Sequence, residues 1–240
     1  MRYPIKGWVK NSFCDWNSKI SSVIFLPGCN FRCPFCQNWQ LVETPDNLVD
    51  VEWSDIESYL TENKDFIDGV VITGGEPFIS DFLFDIIEKI RNIGMHVKID
   101  TNGTFPDKME YLIKNFLVTG ISMDIKDVLE TEFYSRISGI SITEETMKNI
   151  IKSTQILLNS QIDYEFRTTL VRRFHSLDNL KKIAVQIKGA KKYVLQQFRK
   201  IGVKKEFDGG EPFSKEEMET FQKEISHFFQ GCYIKYYGDA

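Results

Sequence analysis

Short apolar runs bounded by turn residues alternate along this chain with longer stretches of helical period. The runs at 22–26, 69–73, 96–99, 117–123, 164–170, 193–197 and 233–237 read as short strands. Between them, Phe82, Leu83, Ile86, Ile87 and Ile90 form one stripe of a helix over 81–92, and Gly94 supplies its stop. Periodicity of the same kind predicts helices at 54–63, 107–115, 144–158, 177–187 and 214–229. Ser54 with Glu57, and Ser214 with Glu217, are capping-box pairs that open two of these helices. Residues 1–20 read as an irregular lead-in with room for a short hairpin.

Strand followed by helix, about six times over, predicts a parallel sheet with helical crossovers. A complete eight-unit barrel takes roughly 250 residues. A chain of 240 residues with a long lead-in has room for about six units. The expected fold is α/β, a partial (β/α)6 TIM-like barrel, with an open doubly wound sheet as the alternative. No repeat, low-complexity tract or linker divides the sequence, so a single domain over 1–240 is expected.

The polar motifs at 28–38, 74–77, 100–103 and 124–126 each follow an expected strand. Parallel α/β folds build their sites at the C-terminal ends of strands, so these motifs are expected to converge.

Composition narrows the function classes. A hydrophobic share of 42% beside a charged share of 27% is that of a soluble globular protein. The formal net charge of -4 gives no electrostatic case for nucleic acid. There is no 18-residue apolar run, and the opening Met1-Arg-Tyr-Pro-Ile-Lys-Gly7 has no apolar signal region. A cytoplasmic protein without a membrane partner is expected.

Five cysteines, three of them crowded, do not suit a disulfide framework. A reducing compartment suits metal thiolates better. Cys29, Cys33 and Cys36 stand in a C-x3-C-x2-C spacing. Three thiolates on one loop grip one face of an iron-sulfur cubane and leave one iron with open coordination. The alternative is zinc, with a fourth ligand from His96, His175 or His227, although no second pair of cysteines is present. Cys14 and Cys232 stand alone and read as small buried thiols.

In Gly74-Gly75-Glu76-Pro77, two glycines after a strand allow close backbone approach to a ligand, and proline fixes the exit. The same four letters recur at Gly209-Gly210-Glu211-Pro212. No strand precedes that copy, so it reads as a turn leading into a capped helix. Carboxylates at the neighbouring strand ends, Asp100 beside Thr101 and Asp124 two residues before Lys126, suit a cation or ribose hydroxyls. Arg167, in a half-apolar run, needs a carboxylate partner, and Glu165 is one option.

With Phe35 just before its last cysteine, the C-x3-C-x2-C loop resembles the signature of the radical S-adenosylmethionine (SAM) superfamily. The segments Asp100-Thr-Asn-Gly103, Asp124-Ile-Lys126, Arg167-Thr-Thr169 and Tyr193-Val-Leu-Gln-Gln-Phe198 extend the likeness to the glycyl-radical-enzyme activases. Over nearly its whole length the chain resembles the long-form anaerobic ribonucleoside-triphosphate reductase activating proteins, relatives of the pyruvate formate-lyase activating enzyme. The resemblance implies a [4Fe-4S] cluster on Cys29, Cys33 and Cys36, whose open iron chelates SAM. It implies one-electron cleavage of SAM to methionine and a 5'-deoxyadenosyl radical, which takes a glycine Cα hydrogen from a partner glycyl radical enzyme. Anaerobic ribonucleotide reductase is the implied partner, and flavodoxin or ferredoxin the implied reductant.

The same resemblance assigns roles to residues. Phe35 packs beside the cluster and Gln37 follows it. Gly74, Gly75, Glu76 and Pro77 meet the methionine amino group of SAM, and Asp124, Lys126 and Arg167 position SAM. Asp100, Thr101 and Asp124 surround a monovalent cation. Where the activase pattern has a SAM-contacting histidine, this chain has Arg199, with Gln197 as a second candidate. Two other readings stay open: the same core acting on a small molecule, a peptide or RNA, and a non-catalytic zinc-binding interaction protein.

Overall fold

A computed structural model describes residues 3–236. Its strands are β1 (Gly7–Ser12), β2 (Ser21–Leu26), β3 (Gly69–Gly74), β4 (His96–Thr101), β5 (Gly120–Asp124), β6 (Asp163–Leu170), β7 (Tyr193–Gln197) and β8 (Cys232–Lys235). Strand neighbours follow chain order from β1 to β8. The first pair, β1 with β2, is antiparallel. β2 with β3, β3 with β4, β6 with β7 and β7 with β8 are parallel. The helices are α1 (Trp39–Glu43), α2 (Trp53–Glu62), α3 (Leu83–Asn92), α4 (Pro106–Lys114), α5 (Thr131–Ser138), α6 (Glu144–Leu158), α7 (Leu177–Gln186) and α8 (Lys215–Ile225). This is the α/β class that the alternating pattern predicts. The last strand begins one residue earlier than expected, and its expected end at Tyr237 lies outside the described residues.

The chain forms two compact units. One holds residues 3–30, 38–101 and 107–121, and the other holds 31–37, 102–106 and 122–236. In the first, β2, β3 and β4 bury Val23, Ile24, Leu26, Val70, Val71, Ile72, Val97 and Ile99. Such near-continuous apolar runs belong to parallel strands covered on both faces. α3 buries Leu83, Ile86, Ile87 and Ile90, each worth about 1.5–3 kcal/mol of transfer from water. Gly94, at φ +94°, ends that segment as expected.

One expectation in this unit is met and three need correction. The hairpin for which the lead-in has room forms, as β1 pairs with β2, and Trp16 packs into a cluster with Val23 and Val71. Gly69 leaves room for that indole, since a Cβ there would lie 2.9 Å from Trp16 Cζ3. The Ser54–Glu57 capping box does not form. α2 begins at Trp53, whose buried ring meets Tyr3 edge-on, so Ser54 falls inside the first turn and Glu52 is the N-cap, with no side-chain cap bond. β5 starts at Gly120 rather than 117, because the Leu117 N–H returns to the Leu112 carbonyl as the chain leaves α4. Cys14, in the turn between β1 and β2, is exposed rather than buried.

In the second unit, β6 alternates cleanly. Tyr164, Phe166, Thr168 and Leu170 are buried, while Glu165, Arg167 and Thr169 on the opposite face are half-buried. Thr143 caps α6 by accepting from the Thr146 N–H, and Ser176 caps α7 by accepting from the Asn179 N–H. The capping box of Ser214 and Glu217 is complete at the start of α8. That helix stops at Ile225 and a single 3-10 turn follows, four residues short of the expected end. α5 has no counterpart in the sequence reading. It is only 8 residues long and ends at Gly139. Cys232 is half-buried, and burial pushes its thiol up to about 12.

Candidate functional site

The first unit carries Cys29 and the Gly74-Gly75-Glu76-Pro77 motif, at the ends of β2 and β3. Backbone bonds weld the two loops. The Gly75 N–H donates to the Leu26 carbonyl at 3.0 Å, and the Glu76 N–H to the Gly28 carbonyl at 2.8 Å. Asn38 Nδ2 donates to the Gly74 carbonyl at 2.9 Å. Gly74 has φ +121°, and a Cβ there would lie 2.2 Å from the Leu26 oxygen. A Cβ on Gly75 would lie 1.8 Å from the Gly28 oxygen and 3.3 Å from Cys29 Cβ. Close backbone approach is therefore why both glycines are needed, as the sequence suggests. The partner in that approach is the cysteine-bearing loop itself.

Glu76 is fully buried. Its Oε1 accepts from the Phe78 N–H at 3.2 Å and from the Thr101 hydroxyl at 2.9 Å. Pro77 opens the short 3-10 turn that follows. The carboxylate thus ties the end of β3 to the end of β4, and Thr101 spends its hydroxyl proton there. Beside it, Lys98 Nζ donates to the Asp15 carbonyl at 2.6 Å and stands 3.9 Å from Asp100 Oδ1.

The second unit carries Cys33, Phe35, Cys36 and Gln37. The Cys36 N–H donates to the Cys33 carbonyl, closing a turn at 3.0 Å. Phe35 is buried among Ile137, Val171, Phe174 and Phe198, and Cys33 packs on the same cluster. The Arg32 N–H donates to the Ser138 carbonyl at 2.7 Å, and a Cβ on Gly139 would lie 2.1 Å from the Arg32 oxygen. The end of α5 is therefore shaped to this segment. Gln37 Nε2 donates to the carbonyls of Ile201 at 3.1 Å and Arg199 at 3.4 Å. Cys29 in the first unit and Cys33 and Cys36 in the second are half-buried thiols, soft ligands of the kind that hold an iron-sulfur cluster.

Also in the second unit, Asp124, Lys126 and Arg167 come together. Lys126 Nζ lies 3.2 Å from Asp124 Oδ2, and Arg167 Nε lies 3.2 Å from Asp124 Oδ1. Lys126 Nζ also stands 5.9 Å above the centre of the Phe35 ring. Burial alone would raise the Asp124 carboxyl, but the charges of Lys126 and Arg167 overcome it and hold the group below the usual carboxylate range. Arg167 has the carboxylate partner its sequence context demands, and that partner is Asp124. Glu165 instead accepts from Ser122 at 2.7 Å. Lys126 and Arg167 are charged donors of the kind that recognise a carboxylate, and both meet Asp124.

The remaining sequence candidates are placed differently. Gln197 Nε2 donates to the Phe213 carbonyl at 2.9 Å, at the end of the second Gly-Gly-Glu-Pro copy. That copy is a turn, as expected. Its Glu211 side chain is 79% exposed and pairs with Lys200, where Glu76 is fully buried. Arg172 holds the turn, donating to the Glu211 carbonyl and to both oxygens of Glu217.

Four residues surround Asp124-Ile-Lys126: Tyr134 and Asp127, unmarked in the sequence, Thr168 from the Arg167-Thr-Thr169 segment, and His175, a zinc candidate of the alternative reading. Tyr134 Oη accepts from the Lys126 N–H at 3.1 Å. His175 Nε2 donates to the Lys126 carbonyl at 2.8 Å, while its Nδ1 accepts from the Val171 N–H at 3.0 Å. Thr168 donates to the Ile125 carbonyl at 2.6 Å. Asp127, fully buried, accepts from Arg136 at 3.2 Å and from the Val128 N–H at 2.8 Å. Burial pushes the His175 ring below its ordinary pKa, keeping it neutral with the proton on Nε2. His175 is a backbone clasp rather than the zinc ligand that the alternative reading offered.

Comparison with known proteins gives these features a family context. Residues 23–158 match the profile of the Radical SAM superfamily. A protein of Methanocaldococcus jannaschii, provisionally named a glycyl-radical enzyme activating enzyme, is 34% identical over 204 residues, covering 82% of this chain and 81% of its own. The pyruvate formate-lyase-activating enzyme of Clostridium pasteurianum is 25% identical over 78% of each chain. Among solved structures, Streptococcus suis SuiB superposes with a TM-score of 0.66 at 11% identity, over 88% of this chain and 50% of SuiB, a likeness of fold. Among the described residues, no helix is long and apolar enough to cross a membrane.

Proposed function

Because the chain belongs to the radical SAM superfamily, a family defined by a [4Fe-4S] cluster and SAM, we propose that it is the activase of a glycyl radical enzyme. Cys29, Cys33 and Cys36 are the cluster ligands in this reading. When bound, the cluster supplies one electron to SAM, which breaks into methionine and a 5'-deoxyadenosyl radical that removes a glycine Cα hydrogen atom from the partner protein. The chain's own residues bind, orient and exclude water. Lys126 and Arg167 receive the SAM carboxylate, and Asp124 holds both cations in place for it. The buried Phe35 keeps water from the thiol segment. Gly74, Gly75, Glu76 and Pro77 form the wall beside Cys29 that meets the SAM amino group. Gln37 holds the loop carrying Arg199 against the second thiol segment, and Gln197 anchors the following turn. A monovalent cation held by Asp100, Thr101 and Asp124 is part of the same proposal. No general acid or base is required for the hydrogen transfer. Anaerobic ribonucleotide reductase is the proposed partner, with a flavodoxin or ferredoxin as electron donor.

The observation that carries the activase reading is the likeness to a named activating enzyme across four fifths of both chains. The test is product formation by the anaerobically reconstituted protein with SAM and dithionite. The reading requires 5'-deoxyadenosine to form in step with added glycyl radical protein. Turnover indifferent to every such partner but stimulated by a small molecule, peptide or RNA would replace it. A colourless protein holding stoichiometric zinc would end it.

A further inference from the structure

The backbone on either side of Lys126 is pinned more completely than a surface lysine needs. Both peptide groups of Ile125 and Lys126 have their N–H and C=O satisfied by a different residue. The Ile125 N–H donates to the Arg167 carbonyl at 2.8 Å and its carbonyl accepts from Thr168. The Lys126 N–H and carbonyl go to Tyr134 and His175. The last two arrive from α5 and from the turn before α7. Both rings are buried. A lone hydrogen-bonding side chain buried beside a strand end is ordinary. Two buried side chains, one on the N–H and one on the carbonyl of a residue whose ammonium is 3.2 Å from Asp124, form a clamp.

His175 can do this in one tautomer only. The Lys126 carbonyl only accepts, so Nε2 must carry the proton, and the neutral ring then offers Nδ1 to the Val171 N–H. Phenylalanine at 134 and an aliphatic residue at 175 would fill the same volume and hold nothing. We infer that His175 and Tyr134 are positioning residues that fix the Lys126 backbone so that its ammonium is preorganised for the carboxylate of the ligand. This rests on the reading that Lys126 meets the SAM carboxylate, and the variants separate the two ideas.

The experiment measures SAM affinity of the reconstituted holoenzyme by equilibrium binding, beside iron content and hydrogen exchange of the segment around 125–127. His175→Leu is expected to weaken SAM about tenfold, as loss of one buried hydrogen bond at the site would. Iron content is expected to hold while exchange at 125–127 accelerates. His175→Gln, whose amide nitrogen reaches as far as Nε2, is expected to restore most of the affinity and the slow exchange. In a Lys126→Gln background, adding His175→Leu is expected to change affinity less than twofold, because the histidine acts through the lysine. Undiminished affinity in His175→Leu, or a full additional loss in the Lys126→Gln background, would overturn the inference. Unchanged affinity in Lys126→Gln alone would overturn the reading beneath it, and the inference with it. Should His175→Leu fail to fold, Tyr134→Phe removes a single oxygen and decides the matter in the same way. A loss of about threefold or more supports the clamp, and no loss refutes it.

Discussion

The Gly28 carbonyl oxygen stands where a Cβ on Gly75 would be, 1.8 Å from it. Because that oxygen accepts the Glu76 N–H, the loop cannot retreat without breaking the bond that welds it to the end of β3. Gly75→Ala is therefore expected to displace the Cys29 loop. Iron retained after anaerobic reconstitution should fall well below that of the wild type, with a stability loss of roughly 1–3 kcal/mol. Full iron content in Gly75→Ala would show that the loop yields without consequence.

The two Gly-Gly-Glu-Pro copies make a controlled pair. Glu76→Ala removes the acceptor that the Thr101 hydroxyl and the Phe78 N–H share, inside the first unit. A cost of about 2–4 kcal/mol is expected, together with impaired SAM cleavage. Glu211→Ala removes one exposed ion pair with Lys200, and surface pairs of that kind contribute little. Urea titration of both variants should give a large shift for the first and almost none for the second. Equal shifts would contradict the assignment of the second copy as a plain turn.

Acid should act on the second unit in two windows. His175 has its folded pKa lowered by burial, so the folded state binds fewer protons than the unfolded chain. Its contribution to stability is complete above the ordinary histidine value of about 6.5 and declines as pH falls below it. Asp124 also has a lowered pKa. Its contribution is present above the ordinary carboxylate range and is lost only as pH falls through that range. Denaturant midpoints across pH 7 to 5 should drop less in His175→Gln than in the wild type. Parallel curves would mean that the ring is not neutral in the fold.

The two isolated cysteines should differ in reactivity. Cys14 is exposed, whereas Cys232 is half-buried with its thiol pushed up to about 12. The thiolate is the reacting form. Iodoacetamide at neutral pH should label Cys14 in the native protein long before Cys232, which mass spectrometry of the digest resolves. Prompt labelling of Cys232 would contradict its environment.

Much of this was legible in the sequence because the signals are local. The alternation in β6 placed Arg167 on the half-buried face opposite Tyr164 and Phe166. The glycine pair after β3 announced a close approach, and the missing strand before Gly209 marked the second copy as a turn. Other features depend on distant partners. Lys126 and His175 are 49 residues apart, and no spacing rule links a histidine before α7 to a strand-end lysine. Ser54 had the letters of a cap, but burial of Trp53 set the start of α2 one residue earlier. α5, at 8 residues, is too short for periodicity to mark it. Cys14 reads as an apolar residue in isolation, yet the turn between β1 and β2 leaves it in water.

The most direct test is electron paramagnetic resonance on the reconstituted protein mixed anaerobically with SAM, a one-electron donor and the anaerobic ribonucleotide reductase of the same organism. The activase reading predicts a carbon-centred glycyl radical signal on the reductase, absent when Cys33→Ala replaces the wild-type protein. Cleavage of SAM to 5'-deoxyadenosine with no radical on this or any other glycyl radical protein of that organism would contradict it.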